Sequence, residues 1–388
     1  MVPLRYNVRN LFVRKATTFA AAAGVGLVVF VLASSLMLSN GIQKTLGASG
    51  RADTAVVLRK GSDAETNSVV DEPNVGLILA APGVAADAKG SPRGAGEVVL
   101  VISMEKSDGA GLTNVMVRGV TEQGAALREG LRVVAGRPPR PGADEAMIGA
   151  RLRGRFRGFE LGQPIALRKN RPVTIVGVFE DGGSSTESEV WADRDFVRSA
   201  FGREGTVSSV RARLSSAAAF DAFKTVVEQD KNLGFEAVRE TTYYEKQSEG
   251  ISIFVSALGG VIAVFFSFGA MIGALITMHA SVSSRQREIG TLRALGFSRT
   301  SILLAFLAES IALALIGGVA GALASTAMGF VSFSMINFAS FSELVFSFEP
   351  TPQIVGYAVA FAGLMGVLGG FLPALRAARI SPVEAMRG

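Results

Sequence analysis

The chain has 388 residues, 49% of them hydrophobic and only 19% charged, with one histidine and no cysteine. Soluble domains carry about 25% charged residues, and the deficit here is concentrated in four charge-free stretches, between Lys15 and Lys44 and across Gly250–Ser284, Ser310–Ser342 and Pro350–Leu375. The net charge of +6 gives no support to nucleic-acid binding, because residues 44–249 balance at 28 basic and 28 acidic side chains and the whole surplus flanks the apolar stretches.

In chain order, residues 1–16 carry Arg5, Arg9, Arg14 and Lys15 and are expected as an amphipathic cytoplasmic segment. A helix needs about 20 residues to cross about 30 Å of hydrocarbon, so membrane helices are predicted at 17–39, 251–279, 301–331 and 353–373. The first exceeds the roughly 7–15 residues of a signal-peptide core and is expected to be retained. The remaining basic residues outside 44–249 are Arg285, Arg287, Arg293 and Arg299, then Arg376, Arg379 and Arg387, with none in 332–352. Positive charge collects on the cytoplasmic side. Both termini, including the tail 374–388, and the loop 280–300 are therefore expected inside, and 40–250 and the connection 332–352 outside.

Residues 40–250 form the large polar segment. Strand-like runs recur in it: EVVLVIS (97–103), NVMVRGV (114–120), PVTIVGVF (172–179) and the alternating VSSVRARL (207–214), with turns such as GRPPRPGADE (136–145) between them. SSAAAFDAFKTVVEQDK predicts a helix with Phe220, Phe223 and Val227 on one face and Ser215 or Ser216 as its cap. FEAVRET reads as a strand leading into YYEKQSEG, expected to be helical and continuous with the second span. The resulting fold class is an integral membrane α-helical protein with a large α+β extracytoplasmic domain inserted between its first two helices. Two subdomains are expected in it, 50–115 plus 200–240 and 116–200.

Chemistry is scarce in this segment. A Ser/His/Asp relay needs a histidine, and the only one, His279, lies at the end of the second span. There is no HExxH and no carboxylate cluster at metal-ligand spacing. EDGGSSTESE (180–189) reads as a solvated loop, and the alternate arginines of RLRGRFRG (151–158) as a solvated face. No catalytic residue and no metal site is expected.

Within the spans, small residues recur four apart: Gly269 and Gly273, Gly317 and Gly321, Gly366 and Gly370. Such pairs let helices approach closely where lipid supplies no hydrophobic drive, either inside the chain or at a subunit interface. Glu309 is the carboxylate placed inside a span, and a membrane-embedded acid is functional by default. It can reach the headgroups or pair with a loop arginine.

The loop SRQREIGTLRALGFSRTS (284–301) predicts a short amphipathic helix over 285–296. Ile289, Leu292 and Leu295 lie near one side, Arg285, Arg287, Glu288 and Arg293 surround them, Gly296 is the left-handed stop, and Ser298 caps the next helix. A topology signal needs only the arginines; a capped apolar face is more than that. In the tail, SPVE makes Ser381 and Glu384 a capping box with Pro382 in the first turn.

REIGTLRALGFSRTSILLAFLAES (287–310) and LPALRAARISPVEAMRG (372–388) resemble the FtsX-type permease domain of ABC transporters, over 250–388. This is the MacB, LolC/LolE, DevC and FtsX group, called type VII or mechanotransmission transporters. REGLRVVAGRPPRPGADEAMIGARL and LGQPIALRKNRPVTIVGVFED resemble the MacB-type periplasmic core.

The resemblance implies a non-catalytic permease of the bacterial inner membrane that dimerises with a second copy or a homologue on two copies of a cytoplasmic ABC ATPase. ATP and Mg would be bound by that partner and no cofactor by this chain, which has no GxxxxGK[ST] motif; the ATPase is expected on a separate polypeptide. Arg285, Arg287, Glu288, Ile289, Leu292, Arg293, Leu295 and Gly296 would form the coupling helix against it. The cargo would be a lipid, lipoprotein, glycolipid or hydrophobic compound, with a periplasmic adaptor (membrane fusion protein) or lipoprotein carrier as a further partner besides the bilayer. The alternative is an FtsX-like division regulator that activates a cell-wall hydrolase without transport.

Overall fold

A computed structural model describes residues 15–381 except 110, 169–170 and 230–233. The N-terminal segment expected over 1–16 thus lies almost wholly outside the described residues, as do Pro382 and Glu384 of the expected tail cap. The described chain divides into a helical unit, comprising residues up to 41, 253–332 and 347 onward, and a sheet unit of residues 42–252 and 333–346.

The chain opens with α1 (Lys15–Gly47), then β1 (Thr54–Arg59), β2 (Val70–Asp71), α2 (Glu72–Leu79), β3 (Gly94–Glu105), β4 (Leu112–Val120), α3 (Glu122–Ala126) and β5 (Leu131–Gly136). It continues with β6 (Glu145–Gly149), β7 (Pro164–Arg168), β8 (Arg171–Asp181), β9 (Glu189–Asp193), α4 (Arg194–Phe201), β10 (Thr206–Val207), β11 (Ser209–Arg213), α5 (Phe220–Gln229) and β12 (Phe235–Arg239). Last come α6 (Glu240–Ser284), α7 (Gln286–Ala294), α8 (Arg299–Thr326), β13 (Ser332–Ile336), β14 (Glu343–Ser347) and α9 (Pro352–Arg379).

One ten-stranded sheet organises the sheet unit, in the order β12-β1-β11-β3-β4-β9-β6-β8-β5 with β7 also paired to β8. The antiparallel β3–β4 pair, in register from Val98↔Gly119 to Glu105↔Leu112, joins the two expected subdomains into this single sheet. Their apolar faces merge as well. One buried cluster runs from Ala55 and Val57 through Val98, Val117 and Ile148 to Phe223, each large side chain contributing roughly 1.5–3 kcal/mol by leaving water. Phe220, Phe223 and Val227 are the buried face of α5, as their spacing predicts. The expected serine cap is absent: a 3-10 turn over Ala217–Ala219 precedes the helix, and Ser216 makes no capping bond.

Two strands carry arginines into the interior. Arg118 of β4 is fully buried and surrounded by three carboxylates. Its Nε and Nη2 donate to Glu189 at 2.7 and 2.9 Å, its Nη1 to Glu65 and Glu97 at 3.1 and 2.8 Å, and its Nη2 also to Glu65 at 3.0 Å. Arg211 of β11 donates to Glu97 at 3.1 Å, to both oxygens of Glu65 at 3.3 Å, to the Tyr244 hydroxyl at 3.1 Å, and to Glu240. Arg128 adds a third cation on Glu97 at 2.8 Å, and the indole of Trp191 donates to Glu189 at 2.7 Å. Burial alone would push the Glu65 carboxyl up, but Arg118 and Arg211 overcome it and hold it down at about 2. Glu97 is likewise held well below the usual range, against its burial, by Arg128, Arg211 and Arg118.

Two expectations are corrected by these side chains and their neighbours. Residues 180–189 are no solvated loop: Ser184 through Glu189 are all buried, because Glu189 belongs to the cluster and Glu187 accepts from the amides of Asp181 and Gly183 at 2.8 and 2.7 Å. The arginines of 151–158 are not simply a solvated face either. Arg151 donates to the Gly183 and Val345 carbonyls, and Arg155 pairs with Glu343 at 2.9 Å. These bonds hold the hairpin β13–β14, unforeseen within the connection 332–352, on the sheet unit.

Because the folded pKa of Glu65 is depressed, its stabilisation is fully present above its usual value of 4.5 and is lost as pH falls toward about 2. The single tryptophan, Trp191, is buried beside the cluster and reports on it. In the full-length chain in nanodiscs, the thermal midpoint read from Trp191 fluorescence should be level above pH 4.5 and fall from there toward about 2. A midpoint unchanged across that window would contradict the ionic account.

Candidate functional site

Among the described residues four helices, α1, α6, α8 and α9, are long and apolar enough to cross a membrane. α1, α6 and α9 overrun the stretches predicted at 17–39, 251–279 and 353–373, most of all α6, whose polar start at Glu240 is continuous with its apolar body, whereas α8 ends at Thr326, inside the predicted 301–331, and passes into a 3-10 turn over Ala327–Phe330. A Cβ on Gly317 would strike the backbone of Ala22, and one on Gly321 that of Gly26. Gly366 faces Ala314 and Ile311 at 2.8 and 2.9 Å from the site a Cβ would take, Gly370 faces Ser310, and the Ser310 hydroxyl donates to the Gly366 carbonyl at 2.8 Å. These four glycines thus pack α8 against α1 and α9. A Cβ added at Gly269 or Gly273 would have nothing within 4 Å, and the two glycines line an open groove with Ala20, Ala21 and Gly24.

The charged loop folds as α7, one helix of nine residues between α6 and α8. Its end is the left-handed stop that the glycine predicts: Gly296 has φ +93°, the Phe297 amide donates to the Leu292 carbonyl at 3.1 Å, and the Gly296 amide to Arg293 at 3.2 Å. A side chain at such a φ costs about 1–2 kcal/mol. Ser298 caps α8, its hydroxyl accepting from the Ser301 amide at 3.1 Å.

The side chains divide differently from the sequence reading. Ile289 does not face outward with Leu295; it is buried with Met278, Val282, Ile302, Phe306, Ala374 and Ala377, where the ends of α6, α8 and α9 meet. Arg285 lies just before α7, buried, with its guanidinium 3.0 Å from Glu309 of α8 and over the ring of Phe306 at 4.8 Å. Of the two alternatives for Glu309, the structure has the loop arginine. The reason is desolvation: an acid this far along an apolar helix needs a cation, and Arg285 is the one delivered to it. Arg287, Glu288 and Leu295 are exposed, whereas Leu292 and Arg293 are half-buried and Arg293 donates to the Phe297 carbonyl at 3.2 Å. The open surface of α7 and its C-cap is therefore Gln286, Arg287, Glu288, Thr291, Ala294 and Leu295.

The family described as FtsX-like permease C-terminal matches residues 260–382, and the MacB-like periplasmic core domain family matches residues 17–230, more than half of the chain. The chain belongs to the FtsX/MacB-type ABC transporter permeases. Among its relatives, the permease is 32% identical over 290 residues to a macrolide export ATP-binding/permease protein MacB of Hahella chejuensis, covering 70% of this chain and 43% of that one. It is 31% identical over 229 residues to YknZ of Bacillus subtilis, an uncharacterized ABC transporter permease, covering 56% and 54%. The chain thus spans about half the length of the curated relatives it matches. Of solved structures, the periplasmic region of MacB from Actinobacillus actinomycetemcomitans is similar at 13% identity and a TM-score of 0.38, covering 53% of this chain and 96% of that one.

Sequence reasoning found α7, its Gly296 stop and the Ser298 cap of α8 but missed the inward turn of Arg285 and Ile289. Breaking a buried pair by removing one partner costs about 3–5 kcal/mol, whereas replacing both by apolar groups costs far less. Arg285→Gln and Glu309→Gln should each lower the unfolding midpoint of the purified permease strongly, and Arg285→Met with Glu309→Leu should recover most of the loss. Simple additivity of the two single effects would contradict a buried pair.

Proposed function

We propose that the permease couples ATP hydrolysis by a cytoplasmic ABC ATPase to movement of its sheet unit, and so drives export or extraction of a lipid, lipoprotein, glycolipid or other hydrophobic compound. The observation that carries this is α7: a helix capped at its end, clamped from behind by Arg285–Glu309 and Ile289, and presenting Arg287, Glu288 and Leu295 outward. A topology signal needs none of that support, whereas a surface that takes thrust from a partner needs all of it. Family membership supports the partner, and the macrolide named for the MacB relatives is a cargo of the same apolar class.

In this reading the termini and α7 face the cytoplasm and the sheet unit lies outside, following the distribution of basic residues. Two permease copies, or one with a homologue, sit on two ATPase subunits that bind ATP and Mg, and an adaptor or lipoprotein carrier receives the cargo. Gly269 and Gly273, open in the single chain, suit a face against the second copy. The sheet unit supplies no chemistry in this account: among its described residues no group of His, Asp and Glu could hold a metal, and its carboxylates serve the fold. The large MacB-type sheet unit favours this reading over a division regulator.

Leu295→Asp, on the open surface, should separate the ATPase from a correctly inserted permease, while Arg293→Ala should only weaken it, since rim charges set orientation more than affinity. Co-purification and ATPase rate in nanodiscs check both. Wild-type binding and turnover in Leu295→Asp and Glu288→Lys alike would reduce α7 to a topology signal.

A further inference from the structure

The sheet unit is entered by α1 and left by α6, and one side chain bridges the segment just beyond the first helix and the opening turn of the second. Glu240 is the first residue of α6 and comes directly after the last residue of β12, without a linker. Its carboxylate accepts from the Arg51 amide, just beyond α1, at 3.1 Å and from the guanidinium of Arg211 in the middle of the sheet. The neighbouring turn repeats the attachment. The Tyr243 hydroxyl accepts from the Glu65 amide at 3.2 Å, and the Tyr244 hydroxyl accepts from Arg211 at 3.1 Å. The approach of the two chain segments is close: a Cβ on Gly50 would lie 2.8 Å from the Glu240 carbonyl oxygen and the Thr241 Cα. Farther along α6, Gln43 donates to Ser252 at 3.2 Å.

We propose that Glu240 and Arg211 are positioning residues for coupling: they fix the first turn of α6 and the segment after α1 to the sheet, so that displacement of the helices moves the sheet as one body. The inference rests on the coupling function proposed above. Its physical basis is the contrast in what each attachment resists. A strand-to-helix junction alone can bend at its backbone dihedrals, whereas a buried carboxylate held by Arg211 and by the Arg51 amide cannot leave without stranding charge in the interior. Glu240 also suits the helix N-terminus, where negative charge is favoured. The cluster therefore does more than hold strands together. Of its carboxylates, Glu240 belongs to a helix that continues into the apolar unit, and it is the one whose loss would loosen the helix while Glu65, Glu97 and Glu189 still satisfy Arg118.

The test uses the full-length permease with its ATPase in nanodiscs, followed by amide hydrogen exchange with and without ATP. Glu240→Gln should speed exchange at residues 244–252 by about a hundredfold while β3 and β4 keep their protection. It should leave ATP turnover intact and abolish the ATP-dependent change in exchange that the wild-type sheet unit shows. Tyr244→Phe, which removes one acceptor from Arg211, should act in the same direction by about tenfold or less, and serves if Glu240→Gln does not fold. Unchanged exchange at 244–252, or an ATP response preserved in both variants, would overturn the joint. Loss of protection throughout the sheet would overturn it too, by making the cluster a fold determinant only. A wild-type sheet unit indifferent to ATP would instead remove the coupling function itself, and the joint with it.

Discussion

A guanidinium buried in a β-sheet has to find carboxylates, and in this permease that demand sets where distant segments go. Arg118 and Arg211 sit in the middle of the sheet and draw in Glu65 from a short turn, Glu97 from β3, Glu189 from β9 and Glu240 from α6. Replacing such clusters by apolar groups is often neutral or stabilising, so their value lies in arrangement more than in net stability. Here the arrangement seats the loop before β9, orders Trp191, and brings the start of α6 against the sheet.

The helical unit solves the same problem on a smaller scale. Glu309 lies within an apolar helix and Arg285 is taken out of the charged loop to meet it. That single pair, backed by Phe306 and Ile289, turns what would be a mobile connection into a seated helix. The two ionic devices stand at the two ends of α6, one after Ser284 and one at Glu240, and the helix between them is unbroken.

What the sequence made legible was local. Uncharged stretches gave the four apolar helices, short strand-like runs gave β3, β4, β8 and, by its alternation, β11, and the Phe220, Phe223, Val227 spacing gave the buried face of α5. Gly296 and Ser298 were readable because a left-handed stop and a serine cap depend on residues within three or four positions. What escaped depends on partners far along the chain. The polar side of β11, Ser209, Arg211 and Arg213, is fully buried, and nothing in a period-two pattern says whether that side meets water or four glutamates. Ile289, Leu292 and Leu295 recur three apart along the charged loop, but which of them is covered is decided by Met278, Ile302 and Ala377, which periodicity cannot supply. The hairpin β13–β14 was hidden because its support, Arg151 and Arg155, comes from nearly two hundred residues away.

The central claim is that ATP turnover displaces the sheet unit through α6. The chain has no cysteine, so Asp63→Cys in the sheet unit and Arg379→Cys at the end of α9, both exposed and outside α7, give a clean spin-label pair. Distances between them, measured by double electron–electron resonance in nanodiscs with the ATPase, should follow one distribution without nucleotide and a shifted one in the ATP-trapped state. An identical distribution in both states, in a sample that hydrolyses ATP, would contradict the account.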